Sequence, residues 1–114
     1  MSSIRQNKVA ALIQRELGNY FLIHSRSKYA GAMISVTVVR VTPDLAQARV
    51  YVSIFGGTAK KDDVFAIIEN NNREIRANFA QATKSQLRAT PTFLFILDDS
   101  IEYASEIDRL LKKK

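Results

Sequence analysis

Apolar positions near the amino terminus recur at helical intervals. Ser3 and Gln6 have the spacing of a capping box, in which each side chain accepts a hydrogen bond from the other residue's backbone N–H. The apolar residues that follow lie on one helical face: Val9, Leu12, Ile13, Leu17 and Tyr20. We expect a first helix that ends near Ile23, before a polar stretch. Glu16 falls inside the apolar arc, so we expect it to be partly buried and to have a partner.

Two strands are predicted next. Met33–Thr42 is rich in Val, Ile and Thr, which fit a pleated surface. Pro43 and Asp44 predict a turn, because Pro presets φ and Asp bonds its own downstream backbone. Gln47–Phe55 alternates, with Ala48, Val50, Val52 and Ile54 on one face and Gln47, Arg49, Tyr51 and Ser53 on the other. This alternation predicts a strand with one buried face and one face that is wet or bound.

A helix with a break in its middle is predicted after the second strand. It begins near Lys60, and Asn71-Asn72 interrupts it, because Asn side chains compete for backbone hydrogen bonds in a helix interior. Helical spacing then resumes to about Gln86. The apolar face of this second half is predicted to consist of Ile75, Phe79 and Ala82.

The last predicted strand is Phe93–Leu97. Pro91 ends the preceding helix, because the residue before a proline avoids the α region. An unbroken apolar run favours a strand that is covered on both sides or central in its sheet. Asp99 and Glu102 have cap spacing for a short final helix. The pattern predicts an α+β fold, in the order helix-strand-strand-helix-kink-helix-strand, with helices on one face of a three-stranded sheet.

Length and composition limit the function classes. A chain of 114 residues makes one domain, and the absence of cysteine excludes a disulfide scaffold, a thiolate zinc site and a cysteine nucleophile. No apolar run approaches the roughly 20 residues that span a bilayer. The first eight residues are polar and hold no signal peptide, so we expect a cytoplasmic protein with no membrane partner.

Positive charge is concentrated in the first half of the chain. The net charge is +6, and residues 1–60 hold eight Lys and Arg against two acids, whereas residues 61–114 hold nine of each sign. Such asymmetry is typical of a protein with a polyanion partner, although Lys and Arg also serve solubility. Arg73, Arg76 and Lys84 form a basic stripe opposite the apolar face of the second half-helix, which indicates contacts with nucleic-acid phosphates.

Catalytic residue patterns are scarce. The single histidine, His24, lies in a polar segment and is expected to be solvated. Three carboxylates, Asp98, Asp99 and Glu102, could hold Mg²⁺ in a nuclease, but the sequence favours a helix cap because no group to orient a nucleophile is evident. No glycine-rich phosphate loop is present, since no glycine lies beyond Gly57.

Several spaced motifs resemble the ribosome-binding factor A family. They are Thr42–Ser53 (TPDLAQARVYVS), Leu87–Pro91 (LRATP) with Phe93–Phe95, and Asp98–Tyr103 (DDSIEY). Arg5 and Lys8 with Arg15–Leu17 look like its first helix, and Ile75-Arg76 looks like the start of its third. The match runs from about residue 5 to 111. Asn71-Asn72-Arg73 stands where the family has an Ala-x-Gly kink.

Three like charges at residues 112–114 predict a basic, disordered tail. The resemblance implies a KH-like domain of the type II arrangement over residues 1–111. It implies an assembly factor, expected to be a monomer, that binds the small ribosomal subunit and its rRNA late in maturation. Such a factor supports 5′-end processing of the precursor rRNA without cleaving it, and is not an enzyme. It needs no cofactor, metal or small-molecule substrate. The alternative is a protein-interaction module whose basic face meets an acidic partner.

The candidate RNA-binding residues come from the basic stripe, the kink and the basic positions in the family-like motifs. They are Arg73, Arg76, Lys84, Asn71, Asn72, Arg88, Arg49, Arg5 and Lys8.

Overall fold

The protein folds as a three-stranded sheet with helices on one face. This computed structural model describes residues 3–98. Its elements are α1 (Ile4–Lys28), β1 (Met33–Val41), β2 (Gln47–Phe55), α2 (Lys61–Asn70), α3 (Asn72–Thr83) and β3 (Thr92–Leu97). The predicted order of elements is confirmed. The short helix predicted from Asp99, and the tail at 112–114, lie outside the described residues.

The sheet is mixed, with β2 at its centre. β1 pairs with β2 antiparallel and β3 pairs with β2 parallel, so that Val50 lies between Val39 and Phe95. This register gathers the apolar sets of all three strands on the face that the helices cover. The buried residues of that face and of the helices belong to one hydrophobic core.

The position predicted for β3 was wrong. Within the described sheet β3 is an edge strand, with Phe93 and Phe95 buried on one face and Leu94 45% exposed on the other. The sequence pattern missed this because the outward residues of β3 are themselves apolar. Buried and exposed residues alternate along β3, but both sets are apolar, so the sequence shows no alternation in hydropathy.

The face of the sheet opposite the described helices holds the outward residues of β2. Arg49 is exposed and Tyr51 is half-buried, as an open face requires. Ser53 was predicted on this open face, but it is only 3% exposed. Its neighbours along the same face are Tyr51 and Phe55, two positions away on either side.

Helix α1 extends beyond the stretch of apolar residues that predicted it. The capping box of Ser3 and Gln6 is confirmed, but the helix continues to Lys28 rather than ending near Ile23. Ile23 is 73% exposed, so the apolar face ends before the helix does. The last turn is held by tertiary contacts, because Tyr29 is fully buried and Ser25 Oγ donates to the Ala32 carbonyl at 2.6 Å.

The predicted break between α2 and α3 is confirmed at Asn71. Its backbone has φ −93° and ψ 10°, outside the regular helical values. The Asn71 N–H donates to the carbonyls of both Ile67 (2.9 Å) and Ile68 (3.2 Å). The hydrogen-bond ladder therefore tightens at Asn71, and the chain enters α3 without an intervening loop.

The buried face of α3 differs from the predicted one by one residue. Ile75, Phe79 and Thr83 are buried, whereas Ala82 is exposed and α3 ends at Thr83 rather than near Gln86. These buried residues are spaced four apart, so they lie in one line along the helix. Thr83 tolerates burial because its hydroxyl donates to the Phe79 carbonyl at 2.8 Å.

A close approach between two loops requires glycine at position 57. Gly57 has φ +82°, and a Cβ there would lie 2.8 Å from both Ala30 O and Ala32 N. The next residue, Thr58, donates its N–H to the Ala30 carbonyl at 2.9 Å. The loop before α2 is thereby docked on the loop between α1 and β1.

Candidate nucleic-acid interface

The amino-terminal half of α1 presents a row of basic side chains. Arg5, Lys8 and Arg15 lie on the side of the helix that faces away from the core, and all three are exposed. The opposite side is anchored by Ile13 and Leu17, which are 0% and 1% exposed. Burial of the apolar stripe fixes the rotation of α1, and so directs these cations towards solvent.

The segment that follows α3 brings a fourth basic residue to the same place. Arg88 faces the row on α1 across a groove of about 730 Å³, and Arg5, Lys8 and Arg15 line the other side. None of the nine described residues that line this groove is acidic. We call it the α1 groove. It is a concave surface with four cations at its walls.

The floor of the α1 groove is apolar. Leu12 and Leu87 line it and are partly buried against the core, with the buried Val9 beside them and the exposed Ala11 on the rim. The groove therefore offers apolar carbon surface and positive charge together. A purely solvated face of a helix offers positive charge without the apolar surface.

Most cations of the α1 groove form no hydrogen bond or ion pair with the side chains and backbone of residues 3–98; we call such cations uncommitted. Arg15 Nη2 lies 3.3 Å from Glu16 Oε1, which confirms that Glu16 is a half-buried acid with a partner. An exposed pair of this kind contributes only about 0–1 kcal/mol. Within residues 3–98, no side-chain hydrogen bond or ion pair is formed by Arg5, Lys8 or Arg88.

A second basic groove lies between α3 and β3. It has a volume of about 570 Å³ and is lined by Arg73 and Arg76, with Thr90 and Thr92 opposite. The Arg76 guanidinium is already engaged, because Nε donates to Pro91 O at 3.0 Å and Nη2 to Thr90 O at 2.8 Å. Arg73 is exposed and makes no such bond to a described residue. Of the two, Arg73 is the cation available to a ligand.

The two asparagine side chains at the break contact distant parts of the chain. Asn72 Nδ2 donates to the Phe93 carbonyl at 2.9 Å, which ties the start of α3 to β3. Asn71 Nδ2 lies 3.5 Å from the Tyr29 hydroxyl, and that hydroxyl lies 3.0 Å from the hydroxyl of Tyr20. Both side chains therefore make internal contacts. The sequence marked these positions as helix breakers and candidate RNA contacts, but it did not indicate these internal contacts.

The remaining candidates are dispersed. Lys84 is exposed at the end of α3. Arg49 lies on the face of the sheet opposite the described helices, directly across from Arg40 on β1. Glu74, the acid nearest the basic stripe, forms an ion pair with Lys28 at the end of α1.

The structure thus unites Arg5, Lys8 and Arg88, which the sequence could only name separately, and leaves Arg49 on another side of the molecule. It adds Arg15 to the set, a residue that sequence reasoning placed beside Lys8 without assigning it a role. Helical spacing from Lys8 was the available signal for Arg15. No signal in the sequence placed Arg88 across from them.

Between residues 3 and 98, no group of three or more His, Cys, Asp or Glu side chains is placed to hold a metal ion. His24 is half-buried and its ring packs 4.5 Å from that of Tyr20, so the solvation expected for this histidine is partial. None of the helices in this part of the chain has the length and hydropathy needed to cross a membrane.

Comparison with known proteins identifies the family. The family model described as ribosome-binding factor A matches residues 5–111. The chain belongs to the ribosome-binding factor A family. Relatives of that name include a Cytophaga hutchinsonii protein, 38% identical over 99% of this chain and 84% of its own length. A Chlorobaculum tepidum relative is 38% identical over 96% of this chain and 90% of its own length.

Solved structures agree with this fold. The crystal structure of ribosome-binding factor A from Thermus thermophilus matches with a TM-score of 0.63 and 17% identity, over 81% of this chain and 94% of that one. A Thermus thermophilus ribosome-binding factor A model, fitted into a cryo-EM map of a 30S complex, matches with a TM-score of 0.60 and 20% identity, over 79% and 91%. These similarities establish the α+β, KH-like fold that the resemblance implied.

Proposed function

We propose that this chain is a cytoplasmic ribosome assembly factor that binds the small ribosomal subunit through its rRNA late in maturation. It acts as a binding protein and supports 5′-end processing of the precursor rRNA without cleaving it. It works as a monomer and needs no cofactor. The observation that carries the proposal is the α1 groove, a concave surface lined by four cations and by no acid among the described residues.

Family membership and charge support the same conclusion from different directions. The relatives carry the name ribosome-binding factor A, and one structural neighbour was fitted into a map of a 30S complex. Basic side chains that meet phosphates release condensed counterions, which supplies a large share of the affinity for RNA. Uncommitted cations such as Arg5, Lys8 and Arg88 suit that role, because they break no internal ion pair on binding.

Arg73 and Lys84 extend the proposed RNA surface beyond the α1 groove. Both are exposed on the α3 side of the molecule. Arg76, Asn71 and Asn72 support that surface from within, through the contacts that they make to β3 and to Tyr29. Arg49 lies apart from both, so we assign it a lesser part.

Co-sedimentation with small ribosomal subunits at several salt concentrations tests the proposal. The triple variant Arg5→Ala/Lys8→Ala/Arg88→Ala removes three uncommitted cations from the α1 groove. Each lost phosphate contact should reduce the slope of log K against log salt by roughly 0.7–0.9, so the slope should fall by about two in total. The variant should fold normally, since exposed substitutions change stability by no more than about 0.5 kcal/mol each.

The matched control is Arg26→Ala/Arg40→Ala/Lys60→Ala. It removes the same net charge from three exposed positions outside both basic grooves. If the two triple variants lose affinity equally, the effect is one of net charge and the α1 groove has no special role. If the unaltered chain ignores small subunits at moderate salt and binds an acidic protein instead, it is a protein-interaction module and the proposal fails.

A further inference from the structure

Duplex RNA and single-stranded RNA make different demands on a binding surface. A duplex presents phosphates and sugars on its outside and keeps its bases stacked within. Unpaired bases can leave the stack and place their faces on apolar side chains or on arginine guanidinium planes. The apolar floor of a basic groove therefore reports which form it accepts.

The α1 groove has the properties that a single strand requires. Leu12 and Leu87 form an apolar floor, while Arg5, Lys8, Arg15 and Arg88 stand at the walls. Its volume of about 730 Å³ falls within the roughly 300–1,000 Å³ of pockets that enclose small organic ligands. The space is thus of the right order for an unstacked nucleotide.

Arg88 lines the α1 groove and is available to contact a base. It forms no hydrogen bond or ion pair with another described residue, so its guanidinium plane is free to stack. Arg15 is held in part by Glu16. The groove between α3 and β3 differs, because one of its two arginines is bonded to the backbone and its apolar lining consists of the small side chains of Ala77 and Ala80.

We infer that the α1 groove is a subsite for single-stranded RNA, in which an unstacked base lies on Leu12 and Leu87 and the neighbouring phosphates meet the surrounding cations. The inference rests on the proposed function, since it specifies the form of RNA that this surface takes. Single-stranded segments of rRNA would enter the groove, and paired segments would be confined to its rim.

Two exposed alanines allow a matched test. Ala11 lines the α1 groove on one helix, and Ala77 lines the groove beside β3 on another. Both are exposed, so Ala11→Glu and Ala77→Glu each add one carboxylate to a helix surface without disturbing the core. The probes are a single-stranded oligoribonucleotide of about ten residues and a fully paired duplex of the same length, followed by fluorescence anisotropy.

The unaltered chain should prefer the single strand to the duplex. Ala11→Glu should weaken single-strand binding by about tenfold or more, because its carboxylate would lie against the phosphates. Ala77→Glu places its carboxylate beside Arg73, outside the α1 groove, so it should weaken single-strand binding by a smaller factor than Ala11→Glu. Arg88→Lys keeps the charge and removes the guanidinium plane, so affinity should fall by about three- to tenfold with an unchanged salt slope.

Several outcomes would overturn the inference. Equal affinity for single strand and duplex would mean that the groove reads phosphates alone. A larger loss from Ala77→Glu than from Ala11→Glu would move the site to the groove beside β3. Binding of polyglutamate as tight as binding of RNA would identify a protein-binding surface.

The same proteins separate this inference from the proposed function. If the chain binds the single strand as expected but ignores small ribosomal subunits, the groove assignment stands and the assembly role fails. If it binds subunits and Ala11→Glu has no effect on the single strand, the assembly role stands and the groove assignment fails. Melting temperatures of both glutamate variants should match the unaltered chain, which excludes misfolding as the cause of a loss.

Discussion

The guanidinium of Arg76 reaches from α3 to the backbone before β3, where Nε donates to the Pro91 carbonyl at 3.0 Å. Nη2 donates a second hydrogen bond to Thr90 O at 2.8 Å, so one guanidinium bonds two successive carbonyls. Arg76 therefore ties two elements together, although its place in a basic stripe suggested only an RNA contact. Its neighbour Arg73 has the same charge and no such bond.

The first prediction compares these two arginines. Arg76→Ala should lower the free energy of unfolding by about 1–2 kcal/mol, because two carbonyls lose a charged donor. Arg73→Ala should change it by no more than about 0.5 kcal/mol. Urea unfolding of both variants measures the difference, and equal stabilities would mean that the Arg76 bonds contribute nothing to the fold.

The second prediction concerns Gly57. Gly57→Ala should destabilise the protein by about 2 kcal/mol or more, since alanine resists positive φ and its Cβ would overlap the backbone of Ala30 and Ala32. Gly18→Ala is the control: nothing lies within 4 Å of its added Cβ and the residue is helical. That variant should gain about 0.5–1 kcal/mol. A Gly57→Ala protein as stable as the unaltered chain would exclude the close approach of the two loops.

The third prediction concerns pH and the turn between β1 and β2. The Thr42 hydroxyl donates to Asp44 Oδ1 at 2.7 Å and the Ala46 N–H donates to it at 3.1 Å, and these bonds hold the pKa of Asp44 below its ordinary value of 3.8. A lowered pKa contributes stability that is present above the unfolded value and is lost as pH falls through the folded one. The stability gap between the unaltered chain and Asp44→Ala should therefore be full at pH 7 and shrink below about pH 4.

Asp44→Asn separates charge from hydrogen bonding at this turn. Its amide oxygen still accepts from Thr42 and Ala46, but it does not titrate. Its stability relative to Asp44→Ala should therefore not change between pH 7 and pH 3. If the gap for the unaltered chain also stays constant over this range, the charge of Asp44 has no part in the turn.

The fourth prediction separates the roles of the two asparagines. Asn72→Ala should lose about 0.5–1 kcal/mol of stability, because the bond to the Phe93 carbonyl outweighs the better helix propensity of alanine. Asn71→Ala should be nearly neutral, since its contact with Tyr29 is long. Thermal unfolding measures both. A double variant that is more stable and binds small subunits normally would show that the break has no role in function.

Local sequence patterns were sufficient for much of this fold. The limits of β2 followed from strict alternation, the turn at Pro43 and Asp44 followed from their intrinsic φ and hydrogen-bonding preferences, and the start of α1 followed from the capping box. Each of these features depends on residues within a few positions of one another. The break at Asn71 belongs to the same class, because asparagine disfavours a helix interior wherever it lies.

The features that sequence patterns missed depend on distant contacts. Helix α1 runs past its apolar face because the buried Tyr29 anchors its end. Asn71, which is 42 residues away in the chain, contacts the hydroxyl of Tyr29. Arg76 bonds a carbonyl 15 residues along the chain, and β3 lies at the edge through its pairing with β2.

The candidate site divides in the same way. The sequence by itself determined that the chain is basic, belongs to an α+β class and resembles a ribosome-binding family. Composition, hydropathy pattern and motif order can all be obtained from the sequence without knowledge of distant contacts. Only the tertiary structure decided that Arg88 faces Arg5, Lys8 and Arg15 over an apolar floor. The physical reason is that burial of Ile13 fixes the rotation of α1, while Leu87 packs against the same core and holds the segment that carries Arg88. Charges far apart in sequence are thereby brought to one surface.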